Sequence, residues 1–284
     1  MPNLSRLLIM YLLLILLVGS AYASDEQELA KKSQNPVGNI ISLPFENNTY
    51  FDAGPTDKVI NALLIKPVYP VSLGKYNLIN RLTIPLIYLE AQDEILARDD
   101  GESDIGDLEV FPGTDDEFGL GNVSYQGWVS PADPGKWIWG IGPVLELPTN
   151  TNNRLGTDTW SAGPSILLLT MPGNWVVGGF VQNVWDFASD KGEPDVNKFT
   201  SQIFVNYNLD DGWYLTSAPV FTANWEADSG DEWTVPVGGG AGRLVRFGQQ
   251  PVDFKLAAYY NVEKPDLGPD WNLLFSVKFL FPKK

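Results

Sequence analysis

Apolar and polar residues alternate with a period of two from about Val37 to the C-terminus, and this pattern predicts β-strands rather than helices. In the last segment, one face carries Leu273, Phe275, Val277, Phe279 and Phe281, and the other carries Asn272, Ser276 and Lys278. Roughly twelve such segments can be counted between Val37 and Phe281. An even number of antiparallel strands places both chain ends on the same side of a closed barrel.

The connections between these segments alternate between short and long. The short connections are predicted at Ser72–Lys75, Pro131–Gly135, Met171–Asn174, Asp210–Gly212 and Gly248–Gln250. The long connections are predicted at Asn47–Asp57, Ala91–Glu117, Thr149–Asp158, Ser189–Asn197, Ala227–Asp231 and Pro265–Pro269. Bacterial outer-membrane barrels have short periplasmic turns and longer outer loops. The pattern therefore predicts an all-β fold, a transmembrane antiparallel β-barrel of about twelve strands.

The N-terminal residues have the character of an export signal. Arg6 is followed by the apolar run Leu7–Val18, and Ala21-Tyr22-Ala23 fits the small-x-small cleavage pattern. The apolar run is shorter than the roughly 20 residues that a membrane anchor needs. We therefore expect a cleaved signal peptide at residues 1–23 and export to the outer membrane of a Gram-negative cell. Residues 24–36 are polar and predict a short periplasmic helix in a position to plug the barrel, which residues 37–284 form.

Tryptophans cluster near the predicted strand ends. Those near short turns are Trp128, Trp137, Trp175 and Trp213, and those beside long loops are Trp160, Trp185, Trp225, Trp233 and Trp271. The amphipathic indole prefers the headgroup level of a bilayer, so this placement predicts two aromatic girdles. The alternative is a soluble β-sandwich with tryptophans scattered in its core, and the clustering at both strand ends favours the barrel.

Prolines interrupt many predicted strands, at Pro67, Pro85, Pro143, Pro164, Pro219 and Pro236. A proline removes a hydrogen bond from the ladder, and every strand of a closed barrel is central. We therefore expect a level of bulges near the outer rim that narrows the lumen or opens a gap in the wall. The alternative is that the strands end at the prolines, which would leave a shorter wall.

The composition excludes several kinds of chemistry. The 284 residues include no histidine and no cysteine, which excludes histidine bases, cysteine nucleophiles and zinc sites made from these residues. The formal net charge is -16, which argues against nucleic acid as a partner, because phosphate binding needs clustered basic residues. A mechanism based on a pair of carboxylates stays open in principle, but the acidic clusters that offer such pairs lie in predicted loops. We predict a protein that is not an enzyme and that needs no cofactor.

A few ionisable residues fall within the predicted strands. They are Lys66, Arg81, Glu146, Arg243, Arg246, Lys255 and Lys278. A charge that faces lipid at mid-depth costs about 2–4 kcal/mol, so these side chains are predicted to line the lumen. Their mainly basic character indicates an anion preference, since rings of charge tune pore selectivity. The alternative is that they snorkel at strand ends or pair with acidic residues in the lumen.

The predicted loops are rich in acidic residues. Asp99, Asp100, Asp115 and Asp116 are candidates for sharing a divalent cation with lipopolysaccharide phosphates, because calcium and magnesium prefer oxygen ligands. A solvated acidic surface and a dedicated ligand site are the alternatives. The spacing does not match a helix-flanked calcium loop, so the sequence predicts no specific protein metal site.

Several segments resemble one family of outer-membrane proteins. They are Ala30–Asn39, Asn206–Leu209, Gly212–Ser217, Thr222–Ala227, Trp233–Pro236, Tyr259–Val262 and Phe279–Lys283. These segments span nearly the whole mature chain. In them the chain resembles the outer-membrane "transporter" barrels related to the proteins of the phenol-degradation meta-pathway, some of which are labelled neuromedin U. The resemblance implies an outer-membrane β-barrel with passive transport, and it implies no catalytic or substrate-contacting residues.

Three functions follow as hypotheses. The first is a channel for passive uptake or efflux of a small solute, with aromatic or apolar solutes as candidates. The second is a non-conducting barrel with a structural or surface-binding role, and the third is a soluble β-sandwich that binds carbohydrate. The expected partners of the barrel are outer-membrane lipid, lipopolysaccharide, and the barrel-assembly machinery, which would recognise the C-terminal strand.

Overall fold

The structure is a computed structural model that describes residues 23–92, 95–98, 108–111, 113–189, 193 and 195–282. Nearly all of the predicted signal peptide, together with Asp99 and Asp100, therefore lies outside the described residues. In the described part of the chain, no helix is both long enough and apolar enough to cross a membrane.

Twelve antiparallel strands close into one barrel, which confirms the predicted all-β class and strand number. The strands are β1 Ile41–Ala53, β2 Lys58–Ile65 continued by Val68–Ser72, β3 Tyr76–Leu89, β4 Glu117–Leu120 continued by Val123–Pro131, β5 Trp137–Leu147, β6 Thr159–Thr170, β7 Trp175–Ser189, β8 Asn197–Asn208, β9 Trp213–Ser217 continued by Val220–Asn224, β10 Trp233–Phe247, β11 Gln250–Glu263 and β12 Trp271–Phe281. Two short strands, Ile95–Arg98 and Leu108–Phe111, pair with each other between β3 and β4. The helix α1, Ala23–Ser33, precedes the barrel.

The barrel closes where its first strand pairs with its last. In this antiparallel ladder Ile41 lies opposite Phe281 and Phe51 lies opposite Trp271. Every other strand pairs with its neighbours in sequence, so the closed sheet leaves no unpaired edge strand. Closure pairs the backbone groups of neighbouring strands within the wall, except along part of β9 and β10, and such pairing is what a β-structure needs in a bilayer.

The connections largely follow the predicted rhythm. Short turns join strands at residues 73–75, 132–136, 171–174, 209–212 and 248–249, and longer connections run through residues 90–116, 148–158, 190–196, 225–232 and 264–270. The predicted long loop Asn47–Asp57 is wrong, because β1 continues to Ala53 and only residues 54–57 join it to β2. Asn47 exchanges side-chain hydrogen bonds of 2.9 and 3.1 Å with Asn61 on β2. Its polar side chain therefore has a cross-strand partner and does not mark a turn.

The wall is interrupted between β9 and β10, which pair only near their ends. The ladder joins Trp213–Thr216 to Gly240–Arg243, and again Thr222–Ala223 to Trp233–Thr234. Along the described residues 217–221 and 235–239 no backbone pair joins the two strands, and this interval contains Pro219 and Pro236. Instead the Ala218 N–H donates to the Tyr259 hydroxyl at 3.2 Å. The predicted interruption at prolines is confirmed here, as a gap in the pairing of the wall.

Irregular pairing also occurs elsewhere along the wall near prolines. The β10–β11 register shifts between Val235 and Pro236. β4 is interrupted at residues 121–122, where the Gly121 N–H donates to the Pro85 carbonyl at 2.9 Å. Pro143 and Pro164 lie opposite each other in an unbroken β5–β6 register. On their other sides both prolines interrupt the ladder: within these described strands, β4–β5 lacks the pairs between Gln126/Val144 and Val129/Ile141, and β6–β7 lacks those between Ala162/Trp185 and Ser165/Gln182. Register shifts at Tyr50/Ala53, Trp160/Ser161 and Val235/Pro236 also lie toward the long connections, so irregular pairing recurs on that side of the wall.

Apolar side chains fill one side of the barrel interior near the short turns. This inner cluster consists of Val37, Ile79, Trp128, Ile138, Leu167, Leu169, Val176, Phe180 and Phe204. Residues next to these in sequence, such as Ile166, Leu168 and Ile203, are half exposed on the outer face. Each of these strands is therefore apolar on both faces, which is why strict polar alternation is weak in β5 to β7.

The N-terminal segment is fixed across the short-turn end of the barrel. Leu29 and Ala30 of α1 pack against Leu244 and Leu280, and Lys31 Nζ donates to the carbonyl of Met171 in a short turn at 2.9 Å. The helix ends at Ser33, two residues before the Asn35-Pro36 pair, where the residue before proline disfavours helical backbone. Downstream, the Val37 side chain enters the inner cluster and is almost fully buried.

Candidate functional site in the barrel interior

A cavity of about 620 Å³ occupies the barrel interior. Its wall is lined by residues of β1 to β4 and of β7 to β12, while the inner cluster fills the remaining side. At one end the cavity meets Gln34, Asn35 and Pro36 of the N-terminal segment. At the other end it reaches Thr222 and Pro269, next to the long connections. The cavity therefore extends over most of the height of the barrel.

Glu46 is the centre of a charge cluster on the cavity wall. Its Oε2 lies 2.5 Å from Lys66 Nζ, and its Oε1 lies 3.9 Å from Lys255 Nζ. The side chains of all three residues are only about one-fifth exposed, at 18%, 23% and 21% respectively. Charges held away from bulk water are costly unless they are paired, so one carboxylate shared by two ammonium groups stabilises this part of the lumen.

Arg81 is held by groups that carry no charge. Its Nε donates to Gln126 Oε1 at 2.8 Å, and its Nη2 donates to the same oxygen. The guanidinium carbon lies 4.6 Å from the Trp128 ring centre and 5.7 Å from that of Phe180. In the described part of the chain, no carboxylate lies within ion-pair distance of Arg81. The guanidinium is thus oriented by cation–π and hydrogen-bond contacts, with its charge open to the cavity.

A second charge cluster joins the wall to the N-terminal segment. Lys278 Nζ lies 3.2 Å from Asp253 Oδ2 and also donates to the Ser33 carbonyl at 3.0 Å. The Tyr214 hydroxyl donates to Asp253 Oδ1 at 2.9 Å. The Tyr214 ring lies over Gly242, where a Cβ would approach the ring to 2.2 Å. Glycine at position 242 of β10 therefore permits the close approach of the inward Tyr214 side chain.

The structure places four of the seven predicted lumen residues on the cavity wall, namely Lys66, Arg81, Lys255 and Lys278. Glu146 lies outside the lining and forms an ion pair of 3.3 Å with Lys198. Arg246 is partly buried outside the lining, at the short-turn end of β10.

The prediction that Arg243 lines the lumen is wrong. It lies opposite Trp213 in the β9–β10 ladder, and its guanidinium carbon is 5.1 Å from that indole ring. Its Nε donates to the Asp211 carbonyl at 3.3 Å. Cross-strand partners share a face, and the adjacent Tyr214 faces inward, so Arg243 belongs to the opposite face beneath the short turn.

The predicted girdle tryptophans separate into exposed and buried ones. Trp137 and Trp175 are about half exposed near short turns, as are Trp160, Trp185 and Trp225 near long connections. Trp213, Trp233 and Trp271 are partly buried. Trp128 is wrong as a girdle residue, because it is fully buried inside the barrel and its Nε1 donates to Ser165 Oγ at 3.0 Å. Trp139, which the prediction omitted, is exposed on the outside.

Sequence reasoning missed the two acidic residues of the cavity, Glu46 and Asp253. Glu46 precedes the stretch that was predicted as a loop, although Glu46, Asn48 and Tyr50 recur at every second position, and all three line the cavity. That period of two was the signal that could have identified them. Gln126 and Gln182, which form a hydrogen bond behind Arg81, carry no charge and gave no such signal.

The acidic loop residues in the described part of the chain take part in local hydrogen bonds. Asp116 Oδ1 accepts from the Ala91 N–H at 2.7 Å, and the Asp115 carbonyl accepts from Arg154 Nη1 at 2.8 Å. Among the described residues, no group of three or more acidic side chains is placed to hold a metal ion. The divalent-cation hypothesis for Asp99, Asp100, Asp115 and Asp116 stays a prediction.

Comparison with solved structures finds an outer membrane channel of similar fold. The COG4313 outer membrane channel from Pseudomonas putida F1 superimposes with a TM-score of 0.61 at 16% identity, over 87% of this chain and 97% of that one. A FadL homologue from Pseudomonas aeruginosa gives a TM-score of 0.40 at 10% identity, over 85% of this chain and 89% of that one. The CymD monoaromatic hydrocarbon channel gives 0.39 at 10% identity, over 93% and 95%.

Of these three scores only the first exceeds one half, so the FadL homologue and CymD carry no argument about the fold. No protein-family model matches the chain, and no curated protein matches it. The chain is therefore similar in fold to an outer-membrane channel.

Proposed function

We propose that the chain is an outer-membrane channel through which a small solute diffuses passively along the barrel interior. The observation that carries the proposal is the cavity of about 620 Å³, which extends from the N-terminal segment to the long connections inside a closed barrel. A volume in this range accommodates a small organic molecule. The shared fold with the P. putida outer membrane channel supports the same function.

The outer face of the barrel supports a membrane location. Large apolar side chains such as Ile141, Ile166 and Val181 are about half exposed there, and a soluble protein would have to cover them. We place the long connections outside the cell and the short turns, with α1, in the periplasm. Export through a cleaved signal peptide, contact with lipopolysaccharide, and assembly through β12 belong to the same proposal, as does membership of the phenol-degradation-related family.

The cavity wall suggests which solutes pass. Apolar side chains from several strands, including Leu64, Val68, Phe180, Val220 and Leu274, lie among its polar groups. Such a mixed lining suits a small aromatic or partly apolar molecule. The described residues that line the cavity include no histidine or cysteine nucleophile, and the proposed role is transport without catalysis.

One observation favours the second candidate, a non-conducting barrel with a structural or surface-binding role. The N-terminal segment lies across the short-turn end, held by Leu29, Lys31 and the Lys278–Ser33 hydrogen bond, and Val37 completes the inner cluster beside it. If this segment stays in place, the interior is a chamber that opens mainly toward the long connections.

Conductance in a planar bilayer separates the two candidates. We expect defined conductance steps from the detergent-folded protein, and larger steps after deletion of residues 24–35, because part of that segment forms the cavity end. Folding of both forms is checked by the heat-dependent shift in gel mobility. The absence of conductance steps from both folded forms would contradict the channel and favour the non-conducting barrel.

A further inference from the structure

The cavity wall is basic although the chain as a whole is acidic. The wall contains Lys66, Arg81, Lys255 and Lys278 against Glu46 and Asp253, while the chain has a formal net charge of -16. A fifth basic residue at the cavity end, Lys32, is paired with the exposed Glu28 at 2.6 Å. The cavity thus concentrates positive charge that most of the molecular surface lacks. Charges that face a narrow, partly desolvated lumen act more strongly on a solute than charges on an open surface.

The positive charges in the cavity differ in how far they are compensated. Lys66 lies directly against Glu46, and Lys278 lies against Asp253. Lys255 reaches Glu46 only at 3.9 Å, on the oxygen that Lys66 does not contact. Arg81 has no ion pair in the described part of the chain and interacts with Glu46 only through space. The uncompensated charge of the wall therefore lies with Arg81 and Lys255.

The Arg81 guanidinium is oriented so that its remaining N–H donors can bind an oxyanion. Two of its N–H donors are fixed by the Gln126 side chain, and the guanidinium plane is held against Trp128 and Phe180. A guanidinium has five donors in a rigid fork, so donors remain for a ligand. The fork matches a carboxylate, and its fixed orientation lowers the entropy lost when a ligand binds.

Apolar groups lie beside this charge. Phe180 contacts the Arg81 guanidinium, and Phe180, Phe204 and Ala218 all line the cavity. We infer that the cavity selects a small amphipathic organic anion, with its carboxylate on Arg81 near Lys255 and its apolar body along the Phe180 side. This inference rests on the proposed channel function and narrows its solute class to anions such as aromatic carboxylates.

Binding to the detergent-folded full-length protein tests the inference with two probes of the same shape. Benzoate carries the carboxylate, and benzamide is its neutral isostere. We expect benzoate to bind at least about tenfold more tightly, as charge-assisted hydrogen bonds are roughly twice as strong as neutral ones. Added salt should weaken benzoate binding and leave benzamide binding unchanged. Equal affinities for the two probes would overturn the inference.

Two variants with opposite expected effects make the test independent of general damage. Arg81→Gln should weaken benzoate at least about tenfold without changing benzamide, because it removes a charged fork. Glu46→Gln should tighten benzoate severalfold, because it removes the carboxylate that pairs with both Lys66 and Lys255. Lys136→Gln, an equal charge change at an exposed turn, should alter neither. If Arg81→Gln fails to fold, Glu46→Gln still tests the inference. Weaker benzoate binding in Glu46→Gln would overturn it.

Flux into liposomes separates this inference from the channel proposal. Faster entry of benzoate than of benzamide supports both. Equal entry of the two probes overturns the anion selectivity and leaves the channel intact. If neither probe enters while benzoate still binds with the predicted dependence on Arg81, the channel proposal fails and the anion site stands.

Discussion

The ion pair between Lys66 and Glu46 gives a prediction whose size follows from the structure. At 2.5 Å and an effective dielectric constant of 20, their gross attraction is about 7 kcal/mol, most of which offsets desolvation. Breaking a fully buried pair costs about 3–5 kcal/mol, because one charge stays buried without a partner. In Lys66→Met, Lys255 remains 3.9 Å from Glu46, and both side chains of the original pair are about one-fifth exposed. We therefore expect a loss of about 2–3 kcal/mol in the free energy of unfolding.

Denaturant unfolding of the protein in lipid, followed by tryptophan fluorescence, measures this loss. Lys198→Met is the matched control: it removes a lysine that pairs with Glu146 at 3.3 Å, but whose side chain is 45% exposed. An exposed pair of this kind contributes less than about 1 kcal/mol to the free energy of unfolding. The double variant Lys66→Met, Glu46→Gln should recover part of the loss, since no unpaired carboxylate remains. Equal losses in Lys66→Met and Lys198→Met would refute the account of Glu46 as a charge held away from water.

Three further predictions concern the wall gap, the inner cluster and the helix. Tyr259→Phe removes the acceptor of the Ala218 N–H in the gap, and we expect a loss of about 1–2 kcal/mol in denaturant unfolding. Trp128→Phe removes a fully buried indole and its hydrogen bond, and we expect a loss of about 1–3 kcal/mol in the same assay. Burial raises the pKa of Glu26 above its usual range, against the opposing charges of two β10 arginines. Protonation therefore favours the docked helix, so a spin label at Glu28 should become less mobile as the pH falls through that raised pKa, and Glu26→Gln should abolish this change.

The strand number and most connections could be predicted because both depend on local pattern. The period of two marks a strand wherever one face is apolar, and short polar turns are punctuated by residues such as Gly173 and Gly248, which adopt positive φ. The loop predicted at Asn47–Asp57 failed because polar strand residues and polar loop residues have similar composition, and the period of two in Glu46, Asn48 and Tyr50 is carried by residues that are themselves polar or amphipathic. Pairing with both neighbouring strands and the side-chain hydrogen bonds between Asn47 and Asn61 identify the segment as a strand.

The candidate site could be predicted only in part. Whether a residue near a strand end faces the lumen or the outside depends on the register of strand pairing, which the sequence does not give directly. Trp128 lies near a short turn, as a girdle residue would, yet its side chain points into the inner cluster. Arg243 shares a strand with lumen residues, but its partner Trp213 assigns it to the outside. The pairing of Glu46 with Lys66 joins two strands, and the fork of Arg81 depends on an uncharged partner, Gln126. No spacing along the chain encodes those contacts.

The central claim, that the cavity is part of a continuous water-filled path, is tested most directly by thiol labelling. The sequence has no cysteine, so a single introduced cysteine reports without background. Thr83→Cys lies on the cavity wall, and the neighbouring Leu82→Cys lies on the outer face, where Leu82 is 38% exposed. The account predicts that a charged, membrane-impermeant thiol reagent lowers the conductance of Thr83→Cys from either side of a planar bilayer and leaves that of Leu82→Cys unchanged. Block of Thr83→Cys from one side only, or equal effects on both variants, would contradict it.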